Sequence, residues 1–170
     1  MVNYDYSSNG LYFITFCTKD RVHYLSEIIY DESEKTIVGD GVLDVPHVQL
    51  TDIGKIVNEQ IEEINDVYKD LNIIKFVIMP DHVHMIIFLF DDKNVYCGTS
   101  RTPSPTNARI PALISTFKRF VNKRIGFNIW QRSFHDHIIR SEKEFLEICG
   151  YIDINPINWV NDIYNQNFWR

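Results

Sequence analysis

Ile73-Ile74-Lys75-Phe76-Val77-Ile78-Met79-Pro80-Asp81-His82-Val83-His84-Met85-Ile86-Ile87-Phe88-Leu89-Phe90 is two apolar runs on either side of a Pro-Asp step. Both runs are rich in β-branched and aromatic side chains, which favour strands. Pro80 presets the φ needed at the second position of a type I turn. The stretch therefore predicts a buried β-hairpin. Side chains alternate along a strand, so His82 and His84 share one face while Val83 and Met85 take the other. Two residues of rise place the imidazoles about 7 Å apart along the strand, close enough to converge on one cation where the sheet opens to solvent. A histidine on an apolar strand is also an ordinary core residue, and the pair alone leaves both readings open.

The chain around this hairpin has 170 residues, 45% of them hydrophobic and 14% aromatic, which suits one folded domain over 1–170 rather than a disordered chain. Cys17, Cys97 and Cys149 are an odd count without CxxC spacing. That argues against a disulfide framework or a thiolate zinc site and predicts a reducing, cytoplasmic setting. No stretch resembles a signal peptide, and the apolar runs are too short or too polar for a membrane span.

A net charge of −6 looks wrong for a nucleic-acid binder, but the charge is unevenly spread. Residues 99–140 hold Arg101, Arg109, Lys118, Arg119, Lys123, Arg124, Arg132 and Arg140 against the single acid Asp136, a net +7. The remainder carries −13. A concentrated basic zone on an acidic body is a footprint for a polyanion, although such charges can equally form a solvated face.

Taken in order, Leu11–Thr18 reads as a central strand, and 34–48 as a short strand or hairpin with turns at Gly39-Asp40-Gly41. Thr51 suits a helix N-cap. Ile53, Ile56, Val57, Ile61 and Ile64 follow at helical spacing, with the acids Glu59, Glu62, Glu63 and Asp66 mostly off the stripe. Residues 91–109 form a Gly/Pro/Ser/Thr-rich loop, too long for a passive connector and expected to be mobile. A second helix is predicted from Pro111 to Arg124, with Leu113, Ile114, Phe117, Phe120 and Val121 inward and Lys118, Arg119, Lys123 and Arg124 outward. Trp130 to Arg140 reads as an irregular segment entering a strand. It contains a second His-x-His pair, His135 and His137, of which His137 is the better candidate for a functional contact.

Ser141 and Glu144 form a capping-box pattern at the start of a third helix. Pro156 disfavours helical geometry at Asn155, so the helix is expected to end there. Tyr151 and Asn155, four apart, share a face at that end. Gly150 costs a helix interior about 1 kcal/mol relative to Ala. It leaves bare backbone beside the tyrosine, either for a bulky polymer to approach or for tight packing on a sheet.

Met79-Pro80-Asp81-His82-Val83-His84, then Trp130-Gln131-Arg132-x-Phe134-x-Asp136-His137-x-Ile139-Arg140, then Tyr151-Ile152-x-x-Asn155-Pro156 together resemble the single-tyrosine transposases with a histidine–hydrophobe–histidine motif. The branch they are most similar to is the REP-associated tyrosine transposases. The loop Gly98–Thr106 resembles that branch as well, and the likeness spans roughly residues 10–160. Relatives often carry a glycine shortly after Asn-Pro, where this chain has Asn158-Trp159.

The resemblance implies an α+β fold, a ferredoxin-like antiparallel sheet with helices packed on it. It also implies cleavage and rejoining of single-stranded DNA at hairpin-flanked sites. Tyr151 would be the nucleophile, forming a 5′-phosphotyrosine intermediate. A phenol titrates near pH 10 in model peptides and attacks poorly unaided. His82, His84 and the amide oxygen of Asn155 would hold a divalent metal, with Mg²⁺ or Mn²⁺ suiting that donor set better than a thiolate-type zinc site. Arg101, Arg109, Lys118, Arg119, Lys123, Arg124, Arg132, His137 and Arg140 would contact DNA. The expected setting is the cytoplasm, associated with the nucleoid, as a monomer or homodimer. Two other readings stand beside this one. One is a metal-dependent hydrolase built on His82, His84, His135 and His137. The other is a non-catalytic, domesticated hairpin-DNA-binding module.

Overall fold

Strict alternation in the quoted hairpin produces the middle of the protein. The computed structural model describes residues 10–29, 35–38, 41–44, 46–90 and 109–167. In chain order these form β1 (Gly10–Cys17), a short 3-10 turn (Lys19–Arg21), β2 (Ser26–Ile29), β3 (Lys35–Val38), β4 (Gly41–Asp44), β5 (His47–Leu50), α1 (Asp52–Val67), β6 (Leu71–Ile78), β7 (His82–Leu89), α2 (Arg109–Ile125), β8 (His135–Ile139) and α3 (Glu142–Asn167). The main sheet runs β6-β7-β1-β8 with every pairing antiparallel. β2 pairs with β5, and β3 with β4. The expected mobile loop at 91–109 lies outside the described residues, apart from Arg109, which opens α2.

Each face of the main sheet has its own cover. Tyr12, Ile14 and Phe16 of β1 and Val83, Met85, Ile87 and Leu89 of β7 meet α1 and α2 in the larger core, through Val57, Ile61, Ile114, Phe117 and Val121. On the opposite face Leu11, Phe13, Ile86 and Ile139 meet Ile152, Ile148 and Phe145 of α3. A register shift between Ile73 and Lys75 turns Lys75 and Val77 toward α3, where Lys75 Nζ lies 2.7 Å from Asp153 Oδ1. The expected α+β layering, an antiparallel sheet carrying packed helices, is thus the observed one.

Thr51 caps α1 as expected, its hydroxyl accepting from the Gly54 amide at 3.0 Å. Helix and β2 entry lie so close that a Cβ on Gly54 would sit 1.8 Å from the Leu25 carbonyl oxygen, so only glycine fits there. Ser141 caps α3 through the Glu144 amide at 3.2 Å. Glu144 returns its bond to the Arg140 amide, 2.7 Å away, rather than to that of Ser141.

Two expectations need correction. The third helix does not stop at Asn155, because α3 continues to Asn167 with Pro156 inside it. Ile152, Asn155 and Pro156 are all buried, and this packing offsets a proline penalty of roughly 3 kcal/mol. The inward face of α2 is also rotated from the predicted one. Ile110, Leu113, Ile114, Phe117, Lys118 and Val121 are buried, whereas Phe120 is exposed. Among the described residues no helix is long and apolar enough to cross a membrane.

Candidate active site

The face of the main sheet under α3 carries the histidine pair. His82 pairs with Cys17 and His84 with Thr15 across β1, and both rings are buried. Their centroids are 4.6 Å apart, nearer than strand rise alone requires. Each ring is held through Nδ1. Asp81 Oδ1 is 2.6 Å from Nδ1 of His82, and Thr15 Oγ1 is 2.6 Å from Nδ1 of His84. Phe13 stacks on His84 with centroids 5.2 Å apart. A carboxylate only accepts hydrogen bonds, so His82 Nδ1 carries the proton, and in the neutral ring the lone pair is on Nε2.

Asp81 is ionised despite its surroundings. Burial pushes its carboxyl up, but the hydrogen bond and charge of His82 and the Arg21 guanidinium hold it below its ordinary value. Arg21 lies 3.3 Å from Asp81 Oδ2. Burial, followed by the charge of neighbouring His82, pushes His84 down to about 3, so His84 is neutral at ordinary pH.

α3 brings two side chains against this pair. Tyr151 Oη is 3.4 Å from His84 Nε2, and its ring meets Phe13 edge-on at 6.2 Å. Trp159, two turns further on, packs its ring 5.7 Å from that of His82. Asn155, buried, lies between Tyr151 and Trp159 on the same helical stripe. Tyr151 is 42% exposed while its phenol meets His84. A Cβ built on Gly150 meets nothing within 4 Å. Tight packing therefore does not explain that glycine.

The other expected site residues divide. His137 is exposed and its Nε2 lies 2.6 Å from Glu144 Oε1. The Arg140 amide and then His137 hold Glu144 below its ordinary value. His135 is also exposed, across β1 from His84 with Thr15 between them. Among the described residues no three His, Cys, Asp or Glu side chains gather as a metal cluster.

Of the basic residues, Arg109 pairs with Asp70 at 2.5 Å and Arg124 with Glu59. Lys123 and Arg140 are exposed, and Arg101 lies outside the described residues. Lys118 is a correction, for it points inward rather than to solvent. Its Nζ donates to the carbonyls of Gln131 and Ser133, each at 2.9 Å, and sits 5.5 Å from the Phe16 ring centroid. Burial lowers its ammonium to about 8. Trp130 packs between Phe16 and Phe117 in the core. Thr15, Trp159 and Arg21 are contacts the sequence reading missed. Only strand register could have revealed Thr15, and only continuation of α3 could have revealed Trp159.

No family model matches the chain. A Haemophilus influenzae protein of uncharacterized function is 33% identical over 174 residues, 94% of this chain and 87% of that protein. A second H. influenzae protein, provisionally named a REP-associated tyrosine transposase, is 25% identical over 92% of this chain and 77% of its own length. An Escherichia coli REP-associated tyrosine transposase is 27% identical over 55% of this chain and 50% of its own. The chain is similar in sequence to these two proteins named as REP-associated tyrosine transposases. A solved structure of a REP-associated tyrosine transposase bound to a REP hairpin shares the fold. It has a TM-score of 0.58 at 20% identity and covers 93% of this chain and 74% of that one. In this chain the histidine pair, Tyr151 and Trp159 meet on one face of the sheet.

Proposed function

We propose that the chain cleaves and rejoins single-stranded DNA at hairpin-associated sites, with Tyr151 as nucleophile and a divalent metal held by His82, His84 and Asn155. The observation that carries this reading is the exposed Tyr151 phenol, 3.4 Å from the Nε2 edge of a buried, neutral His84. Likeness to proteins named as REP-associated tyrosine transposases supports strand cleavage, and the REP hairpin bound by the structural relative supports hairpin DNA as the substrate class.

The donor set fits such an ion. Asp81 and Thr15 engage both Nδ1 atoms, which leaves the two Nε2 atoms as ligands. Nitrogen from two imidazoles and oxygen from an amide suit Mg²⁺ or Mn²⁺ with water completing the shell. When bound, the cation would polarise the scissile phosphate and offset the charge that builds on it.

The protein's own part is positioning. Phe13 and Thr15 fix the His84 ring, and α3 fixes Tyr151 against it. The phenol gives its proton to solvent as its oxygen bonds to phosphorus. The bond from phosphorus to the 3′ oxygen breaks, and that oxygen takes up a proton to become a free 3′-OH. The 5′-phosphotyrosine link retains the phosphodiester's bond count, so attack by another 3′-OH reverses the step and frees Tyr151 without nucleotide hydrolysis. Because Tyr151 meets His84 of its own chain, a monomer suffices for cleavage in this scheme.

Incubation with labelled single-stranded hairpin DNA and Mn²⁺, followed by a denaturing gel, tests the proposal. The native chain should yield a covalent adduct that a chelator abolishes. Tyr151→Phe should yield none while binding DNA with unchanged affinity. An adduct formed at the normal rate by Tyr151→Phe would refute the nucleophile, and cleavage persisting under chelation would refute the metal.

A further inference from the structure

Apolar contacts press α3 to the sheet without fixing where it sits. Burial of Ile152 and its neighbours against Phe13, Ile86 and Ile139 is non-directional. Two acids of α3 add directional bonds, and these reach opposite edges of the β6-β7-β1-β8 sheet. Glu144 Oε1 accepts from Nε2 of His137, on β8, at 2.6 Å. Asp153 Oδ1 lies 2.7 Å from Nζ of Lys75, on β6. The two anchors share a single row of cross-strand partners, His137-Phe13-Ile86-Lys75. From Glu144 to Asp153 the helix rises about 13.5 Å, and three strand spacings across that row make about 14 Å. Between its two ties α3 therefore spans the sheet from edge to edge. The next row on the same face is His135-Thr15-His84-Val77, which holds the histidine that Tyr151 meets. Asp153 itself is two residues from Tyr151 and two from Asn155.

An irregularity completes the first row. Leu71 and Ile73 belong to the core under α1 and α2, and unbroken alternation would turn Lys75 the same way. Ile74 is instead left out of the pairing and exposed. Lys75 then falls opposite Ile86 and Val77 opposite His84, on the α3 face. Bulges re-aim side chains in this way and recur beside active sites. Asp153 is 63% exposed, so its ion pair adds little stability. What a short pair at that place controls is the seat of the helix.

We infer that Lys75 and His137 are positioning residues, which through Asp153 and Glu144 fix the crossing of α3 and so the placing of Tyr151 against His84. This rests on the reading of Tyr151 as the nucleophile. The test is single-turnover adduct formation at saturating hairpin DNA and Mn²⁺. Lys75→Met and His137→Ala should each slow the adduct about tenfold to a hundredfold, the cost of displacing a reacting group by about 1 Å. Denaturant midpoints and DNA affinity should stay near native. The salt slope of DNA binding should not change, whereas a lost single-strand phosphate contact would lower it by roughly 0.7. His137→Gln, which keeps a donor for Glu144, should regain most of the rate, as should the exchanged pair Lys75→Asp with Asp153→Lys. Lys143→Met breaks an ion pair internal to α3 and should react at the native rate. A native rate in Lys75→Met or His137→Ala, a flattened salt slope, or equal slowing in Lys143→Met would overturn the inference. A second readout needs neither metal nor DNA. The His84 ring lies 5.3 Å from that of Tyr151. Its NMR signals in Lys75→Met and His137→Ala should move part of the way to their positions in Tyr151→Leu, and unmoved signals would also overturn the inference. Should the native chain form no adduct, the nucleophile reading fails, and the His84 signals still decide whether the two ties place Tyr151.

Discussion

Replacing Asp81 by Asn changes one oxygen beside His82 and little else in size. The carboxylate accepts from His82 Nδ1 at 2.6 Å, a charge-assisted bond that keeps the proton on Nδ1 and the lone pair on Nε2. An amide can offer its NH₂ to the same nitrogen, which puts the proton on Nε2 and removes a ligand. Outer-shell partners of this kind are worth about 10–100-fold in metal affinity, or roughly 1.4–2.7 kcal/mol. The Arg21 side of the carboxylate should matter far less, because that contact is 3.3 Å long and the Arg21 side chain is 57% exposed, a setting where ion pairs contribute under about 1 kcal/mol. Adduct formation titrated with Mn²⁺ at pH 7 separates the two. Asp81→Asn should raise the half-saturating Mn²⁺ concentration about 10–100-fold, with much of the rate restored at saturating metal. Arg21→Ala should shift it by no more than about threefold. Half-saturation unchanged in a folded Asp81→Asn protein would refute the claim that Asp81 sets the His82 tautomer.

Three further outcomes follow from the same geometry. Thr15→Val keeps a β-branched strand residue but removes the hydroxyl from His84 Nδ1; Mn²⁺ half-saturation should rise about 10–100-fold, and no change would mean that Phe13 stacking alone orients the ring. His84 is pushed down to about 3, below its unfolded value of 6.5. The neutral ring's contribution is therefore intact above pH 6.5 and lost as pH falls toward 3, a swing on the order of 5 kcal/mol at most; denaturant midpoints of metal-free protein should fall across that window, and His84→Gln should remove most of the slope. Gly150→Ala should stabilise α3 by about 1 kcal/mol and slow cleavage if DNA passes over the bare backbone beside Tyr151; a stabilised variant cutting at full rate would leave that glycine no part in DNA approach.

What could be read from the sequence was whatever depends on local periodicity. Alternation alone placed His82 and His84 on one face, and a hydroxyl ahead of an apolar stripe placed the start of α1. The misreadings arose where tertiary contacts override local preference. Pro156 would end a free helix, yet α3 passes through it because Ile152, Asn155 and Pro156 are buried together. Lys118 looked outward because lysine usually is, but its stem runs beside Phe16 and its ammonium finds two carbonyls in a segment more than ten residues away. No pattern within α2 encodes those acceptors.

Both misreadings bear on the site. Had α3 ended at Asn155, Trp159 would not reach His82, and that ring would be left with Asp81 and His84 as its neighbours. The continued helix places Trp159 on His82 and Tyr151 on His84, so one rigid element spans both histidines with Asn155 between them. A metal held by this pair and a nucleophile on the same helix then share a frame. A shift of α3 along the sheet would move phenol and amide together relative to the imidazoles, without changing their spacing. The inward turn of Lys118 has the complementary effect on the far side of the sheet, where it fastens α2 to the 131–133 backbone. In the proposed scheme the chemistry lies on the sheet face under α3, and α2 covers the other face. β1 connects them, because Thr15 and Thr18 on that one strand and its exit touch His84 and the Asp81 carbonyl respectively.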